Sequence, residues 1–208
     1  MTTQLLDPDC SSALDEATDE QLLLDYRKSG NRPLFEALMQ RYEREIYSYL
    51  RRYLGDADLA EDAFQACFLH VHLKCEQFEE GRKFRPWVYA IATNQAIDLQ
   101  RRNKRHRMAS LDRTAATGDE DSHWSEKLVG SDPDPVAEAS GRENQEWVHS
   151  TVGQLSTSMQ RVIQLVYYQG LKYREAADVL GIPVGTVKSR LHAAVNRLNQ
   201  LWDETHQK

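Results

Sequence analysis

Apolar residues recur at intervals of three and four along most of this chain, and no stretch sustains the apolar–polar alternation of a strand. Four helices follow from the pattern in the first half. Thr18 or Asp19 can cap a short helix running through Tyr26, which Ser29-Gly30 ends. Asn31 caps the next, with Pro33 tolerated in its first turn, and Phe35, Leu38, Tyr42, Ile46, Tyr49 and Tyr53 line one apolar stripe until Gly55. Asp56 opens a third helix, whose stripe runs through Leu59, Ala60, Ala63, Phe64, Cys67, Phe68 and Val71 toward Phe78. A fourth begins near Pro86 and continues to about Arg107, with Val88, Ile91, Ala92, Ala96 and Leu99 facing inward.

The periodicity then collapses. Gly118, Asp119-Glu120-Asp121, Gly130 and Asp132-Pro133-Asp134-Pro135 cannot bury a core. Helical spacing resumes with Val136, Trp147, Val148 and Val152, and Ser156 caps a helix carrying Val162, Ile163, Leu165 and Val166 as far as Gly170. The fold class expected is all-α, with two small helical domains over 18–107 and 135–204, an acidic tail over 1–17 and a flexible acidic linker over 108–134. With such a linker the two domains are expected to tumble semi-independently.

Charge sharpens this division. The chain of 208 residues has a net charge of −6, which alone argues against a nucleic-acid partner. Its distribution argues the other way: residues 1–20 carry −6, residues 21–107 carry +4, residues 108–147 carry −7 and residues 148–208 carry +3. Two basic blocks are separated by acid. No run of about 18 apolar residues offers a membrane span, and Met1 to Cys10 lack the basic start and apolar centre of a secretory signal. Cys10, Cys67 and Cys75 are too few for a disulfide framework, which suits a reducing cytoplasm.

Near the C-terminus, Tyr173 to Leu180, Gly181-Ile-Pro-Val-Gly185 and Thr186 to Leu198 have the outline of a helix–turn–helix. Ala176 and Ala177 allow a close helix crossing, Gly181 supplies a left-handed residue, and Pro183 suits a helix start. On the second helix Val187, Leu191, Ala194, Val195 and Leu198 form the inner stripe. Thr186, Ser189, His192, Ala193 and Asn196, flanked by Lys188 and Arg190, form a face of short polar and basic groups suited to base edges and phosphates. An ordinary helical hairpin with a solvated face has the same outline.

The fourth helix carries a second candidate surface. Asn94, Asp98, Arg101 and Arg105 follow one stripe, and Arg101-Arg-Asn-Lys-Arg-His-Arg107 adds a dense positive end that phosphates would relieve. A solvated helix end is the plain alternative. Trp87, Tyr89 and the loop Arg82-Lys83-Phe84-Arg85 add π faces and charge of the kind that single-strand binding uses.

Together these residues resemble the extracytoplasmic-function (ECF) sigma factors, the compact group of the sigma-70 family. The likeness covers about Asp19–Arg107 (its region 2) and Val136–Leu201 (its region 4). Gly181-Ile-Pro-Val-Gly-Thr-Val-Lys-Ser-Arg-Leu191 is nearly the family's helix–turn–helix signature. Phe84-Arg-Pro-Trp-Val-Tyr-Ala-Ile-Ala-Thr-Asn-Gln-Ala-Ile-Asp98, with Arg101-Arg102, is similar to its promoter −10 segment. The resemblance implies a protein that binds core RNA polymerase, at its clamp and its flap, and directs promoter recognition, DNA melting and initiation. It assigns −10 binding to Arg82, Lys83, Trp87, Asn94, Asp98, Arg101, Arg102 and Arg105. It assigns −35 binding to Thr186, Lys188, Ser189, Arg190 and His192, and clamp binding to Asp62, Gln65 and Phe68. The family usually has Glu where Ala66 stands; some members have Arg at Ala193, and a capping Ser is common at Lys172. An anti-sigma partner is implied by the resemblance alone.

The alternative is a stand-alone helix–turn–helix regulator, which would need a dimer to read two half-sites and leaves the first basic block unexplained; the expectation here is a monomer when free. Cys67-x-x-His70-x-His72-x-x-Cys75 has a metal-like composition, but on one helix these residues point to different sides, about 100° apart per residue. No metal, cofactor or catalytic residue is expected.

Overall fold

The computed structural model describes residues 14, 16–111, 148 and 150–206. The expected linker beyond Leu111, Cys10, Val136 and Trp147 lie outside them, as does most of the expected N-terminal tail. Among the described residues every regular element is helical.

Caps set several of the helix ends, although Asn31 and Ser156 stand at their N-cap positions without forming a side-chain capping bond. Thr18 and Gln21 form a reciprocal capping box at the start of α1 (Asp19–Ser29), and Gly30, at φ 65°, ends it. Helix α2 (Arg32–Leu54) has Pro33 in its first turn and ends at Gly55, while Asp56 Oδ1 accepts from the Leu59 N–H at 3.0 Å to start α3 (Ala57–Lys74). Helix α4 (Phe84–Leu111) begins two residues earlier than Pro86, because Glu20 Oε1 accepts the Phe84 N–H at 3.1 Å. Its regular turns also continue past Arg107, into residues expected to be linker. Within the expected tail, Arg41 holds the carbonyls of Leu14 and Ala17 at 2.7 and 2.8 Å.

The stripes read from the sequence converge in one core: Leu38, Tyr42, Ile46, Tyr49, Ala60, Ala63, Cys67, Val71, Val88, Ala92 and Ala96 are all buried. Burial pushes the Cys67 thiol up from its ordinary 9.0 to about 12. Burial likewise raises the Tyr42, Tyr49 and Tyr89 phenols above their ordinary 10.0. The native state therefore retains protons that the unfolded chain loses. Stability should be complete below about pH 9 and fall as pH rises toward 12, steepening past 10 as the phenols join. Urea midpoints from pH 7 to 11 check this; a midpoint constant to pH 11 contradicts it.

In the second block α5 (Thr157–Ile163) passes into a π turn over Gln164–Tyr168, with the Gln169 N–H donating to the Gln164 carbonyl at 3.0 Å. Helices α6 (Tyr173–Leu180) and α7 (Val184–His206) form the helix–turn–helix around Gly181, at φ 63°. Lys172 offers no acceptor at the α6 cap; Glu175 Oε2 takes the Lys172 N–H instead, at 2.8 Å. Val187, Leu191 and Ala194 are buried as expected, whereas Val195 is exposed.

The two blocks meet at an interface. Helix α6 packs on α4, and Gln164, fully buried, donates from Nε2 to the Tyr49 carbonyl at 3.0 Å. The π turn supplies this contact, and periodicity alone does not signal it.

Candidate nucleic-acid interface

The exposed stripe of α4 stands on a rigid floor. Thr93, beneath Asn94, donates from Oγ1 to the Tyr89 carbonyl at 2.7 Å, so the 2.6 Å contact with Tyr49 is donated by the phenol. That relay fixes α4 to α2 directly below Asn94. Asn94, Asp98, Arg101, Arg102 and Arg105 are all exposed. The last four line one concave patch together with Lys104. Arg101 stands 3.9 Å from Asp98, and Arg105 Nε lies 3.4 Å from the Arg101 carbonyl, contacts too long and exposed to hold either guanidinium firmly. One uncharged amide and a row of cations thus face solvent along a single helix.

The loop before α4 is tied down from beneath. Arg27 donates to the Phe78 carbonyl at 2.9 Å, and Phe84 sits 5.1 Å from the Tyr42 ring and 6.4 Å from Phe78. Arg82 and Lys83 are exposed, the latter 3.6 Å from Glu20. Trp87 and Tyr89 are not surface π faces. Trp87 packs 5.1 Å from Phe78 and is 7% exposed, and Tyr89 is fully buried. Their apolar area is worth more in the core than against solvent.

On α7, Lys188, Ser189 and His192 are exposed, while Thr186 and Arg190 are half-buried. Ser189 Oγ donates to the Thr186 carbonyl at 3.1 Å, and the His192 ring meets the Asn196 amide at 3.1 Å. On α3, Asp62 and Gln65 are exposed, with Gln65 bonded to Glu61 at 3.0 Å. Phe68 does not join them: it is 5% exposed and packs against Phe64 and Phe35. The sequence reading missed what continues this face. Leu69 and Leu73 are 56% and 61% exposed, and steps of four residues place them in line with Gln65. Two leucines off the buried stripe are the signal that could have found them.

The metal-like residues of α3 are engaged separately. His70 Nδ1 lies 2.9 Å from the Ala66 carbonyl, His72 Nδ1 bonds the Tyr26 hydroxyl at 2.7 Å, and Cys67 is buried near the Val88 carbonyl. Among the described residues no three His, Cys, Asp or Glu converge. Nor, among them, is any helix long and apolar enough to cross a membrane.

Residues 38–106 match the family Sigma-70 region 2, and residues 145–198 match Sigma-70, region 4. The ECF RNA polymerase sigma factor SigW of Bacillus subtilis is 32% identical over 165 residues, covering 79% of this chain and 87% of its own. The chain belongs to the ECF sigma factors. SigL of Mycobacterium tuberculosis, another ECF RNA polymerase sigma factor, is 34% identical over 174 residues, covering 82% of this chain and 90% of its own. Among solved structures, CnrH in complex with the cytosolic domain of CnrY aligns with a TM-score of 0.59 at 25% identity, over 89% of this chain and 97% of that one. The Bartonella quintana sigma factor RpoE, solved with the anti-sigma factor NepR, shares the fold at 22% identity with a TM-score of 0.61, over 81% of this chain and 96% of that one. Transcription initiation is therefore the role of this sigma factor. The match to region 2 disfavours a stand-alone helix–turn–helix regulator, because it accounts for the first basic block.

Proposed function

We propose that this sigma factor binds core RNA polymerase through the outer face of α3 and reads promoter DNA with α4 and α7. The observation that carries the reading is Asn94, exposed on the fixed floor of Tyr49, Thr93 and Tyr89, with cations along the same stripe. An amide can pair with a base edge; Arg101, Arg102 and Arg105, with Arg82 and Lys83, suit the phosphates around it. Asp98 limits positive charge beside the amide. Lys188, Ser189, Arg190 and His192, beside Thr186, read the −35 element while region 4 docks on the polymerase flap. Asp62 and Gln65, continued by Leu69 and Leu73, form the clamp face; Phe68 supports it from inside. The chain contributes binding energy and no catalysis, in the cytoplasm. An anti-sigma partner is supported by the complex in which the related fold of RpoE was solved.

Asp62→Ala with Gln65→Ala tests the reading. Both side chains are exposed, so helicity should not change, while affinity for core polymerase should fall about tenfold, or ~1.4 kcal/mol. Equilibrium binding to labelled core enzyme measures it, and unaltered assembly overturns the clamp assignment.

A further inference from the structure

Asn196 lies outside the core and outside the set of side chains assigned to the −35 element, yet its side chain is engaged. Its amide nitrogen Nδ2 stands 3.1 Å from His192 Nε2, and both residues are exposed on α7. A step of four residues puts Asn196 one turn beyond His192 on the same face, and helical side chains lean toward the N-terminus, so the amide leans back toward the ring. An amide nitrogen only donates, so the ring nitrogen it meets must be the acceptor. A neutral imidazole has one donor and one acceptor nitrogen, and the hydrogen bond at one decides the role of the other. With Nε2 accepting from Asn196, the ring proton sits on Nδ1 and His192 is left with a donor to offer.

One turn earlier the polarity is opposite. Ser189 Oγ donates to the Thr186 carbonyl at 3.1 Å, so its proton is spent on the backbone and its lone pairs remain for DNA. Helix α7 thus offers an acceptor at Ser189 and a donor at His192. In the major groove guanine shows N7 and O6, adenine N7 and thymine O4 as acceptors, whereas cytosine shows its N4 amine, a donor. A donor held at His192 therefore rejects cytosine on the strand it faces. In open water an exposed pair of side chains one turn apart is weak. Against DNA, with water excluded, Nε2 without Asn196 would be left unpaired, so the amide matters most when the helix is docked.

We propose that Asn196 is a positioning residue for −35 recognition: it holds His192 as a hydrogen-bond donor, so that the base opposite His192 is guanine, adenine or thymine and not cytosine. The proposal rests on the assignment of α7 to the −35 element. Asn196 acts through His192 and not on the bases themselves. It stands more than three turns beyond Val184, on a helix of the kind whose N-terminal residues meet the base edges.

The test has two arms. In the first, core polymerase with the full chain transcribes templates substituted one base at a time across the −35 element. The position at which His192→Ala abolishes a preference is the base opposite the ring. There the wild-type chain should use a cytosine template about tenfold less than a guanine template. Asn196→Ala should narrow that gap to about threefold or less while the ratios at the other −35 positions stay as they are. In the second arm, the free chain labelled with 15N-histidine is read by NMR at about pH 8.5, above the ordinary imidazole range. The ring signal that disappears in His192→Ala should show the proton mainly on Nδ1 in the wild type, and a mixture of both tautomers in Asn196→Ala. A gap that Asn196→Ala leaves unchanged, an equal loss on every template, or a wild-type ring protonated at Nε2 overturns the proposal. A His192→Ala chain with every −35 preference intact contradicts the −35 assignment of α7 instead, and a wild-type chain that starts no transcripts contradicts the sigma-factor reading.

Discussion

Replacing Phe84 with alanine should destabilise the first domain by about 3–5 kcal/mol, the largest loss expected from any single change proposed for this chain. Phe84 is fully buried, with Trp87 at 5.9 Å joining Tyr42 and Phe78 around its ring. Truncation removes the transfer energy of the ring and leaves a cavity that three large neighbours cannot collapse into without leaving their rotamers. Phe84 is also the first residue of α4, where its N–H is held by Glu20. The cavity therefore sits under the Arg82–Lys83 loop and the start of the −10 helix. Phe84→Leu should cost less than half as much, because most of the volume remains. Urea unfolding of both variants at pH 7 measures the pair; a loss below about 1 kcal/mol for Phe84→Ala would show that the aromatic cluster does not organise this end of the domain.

The second large effect separates base reading from charge. Asn94→Ala should cost about 1–3 kcal/mol at one −10 position, the worth of one good base-edge contact. Its salt dependence should scarcely move, since an amide releases no counterion. Neutralising Arg105 should weaken binding on every sequence about equally and lower the salt slope by roughly one. Both side chains are exposed, so folding should tolerate either change.

The sequence carried the helices and most of the core because burial in a helical bundle follows a period of 3.6, and Gly30, Gly55 and Gly181 mark where that period stops. It also carried the exposed cations of α4, since charge at that spacing has nowhere else to go. Trp87 and Phe68 show where it fell short. An aromatic residue beside a basic run reads equally well as a stacking platform or as core. Only packing against Phe78, or against Phe64 and Phe35, decides between them. Leu69 and Leu73 were missed for the converse reason: leucines in an apolar helix are assigned inward by default. The contact between the two blocks, made by Gln164 and its neighbours, was the least legible feature. It depends on a π turn that shifts the register of Gln164 to Gln169, and glutamines in an amphipathic helix give no sign of burial.

The most direct measurement is promoter-directed transcription by core polymerase supplied with this chain, on a panel of templates substituted one base at a time across the −10 element, at several salt concentrations. Wild-type chain should start transcripts that core enzyme alone does not, and Asn94→Ala should erase the preference at one position while leaving the salt slope in place. Starts no different from those of core enzyme alone, or an equal loss on every template from Asn94→Ala, would contradict the assignment of α4 as the helix that reads the promoter.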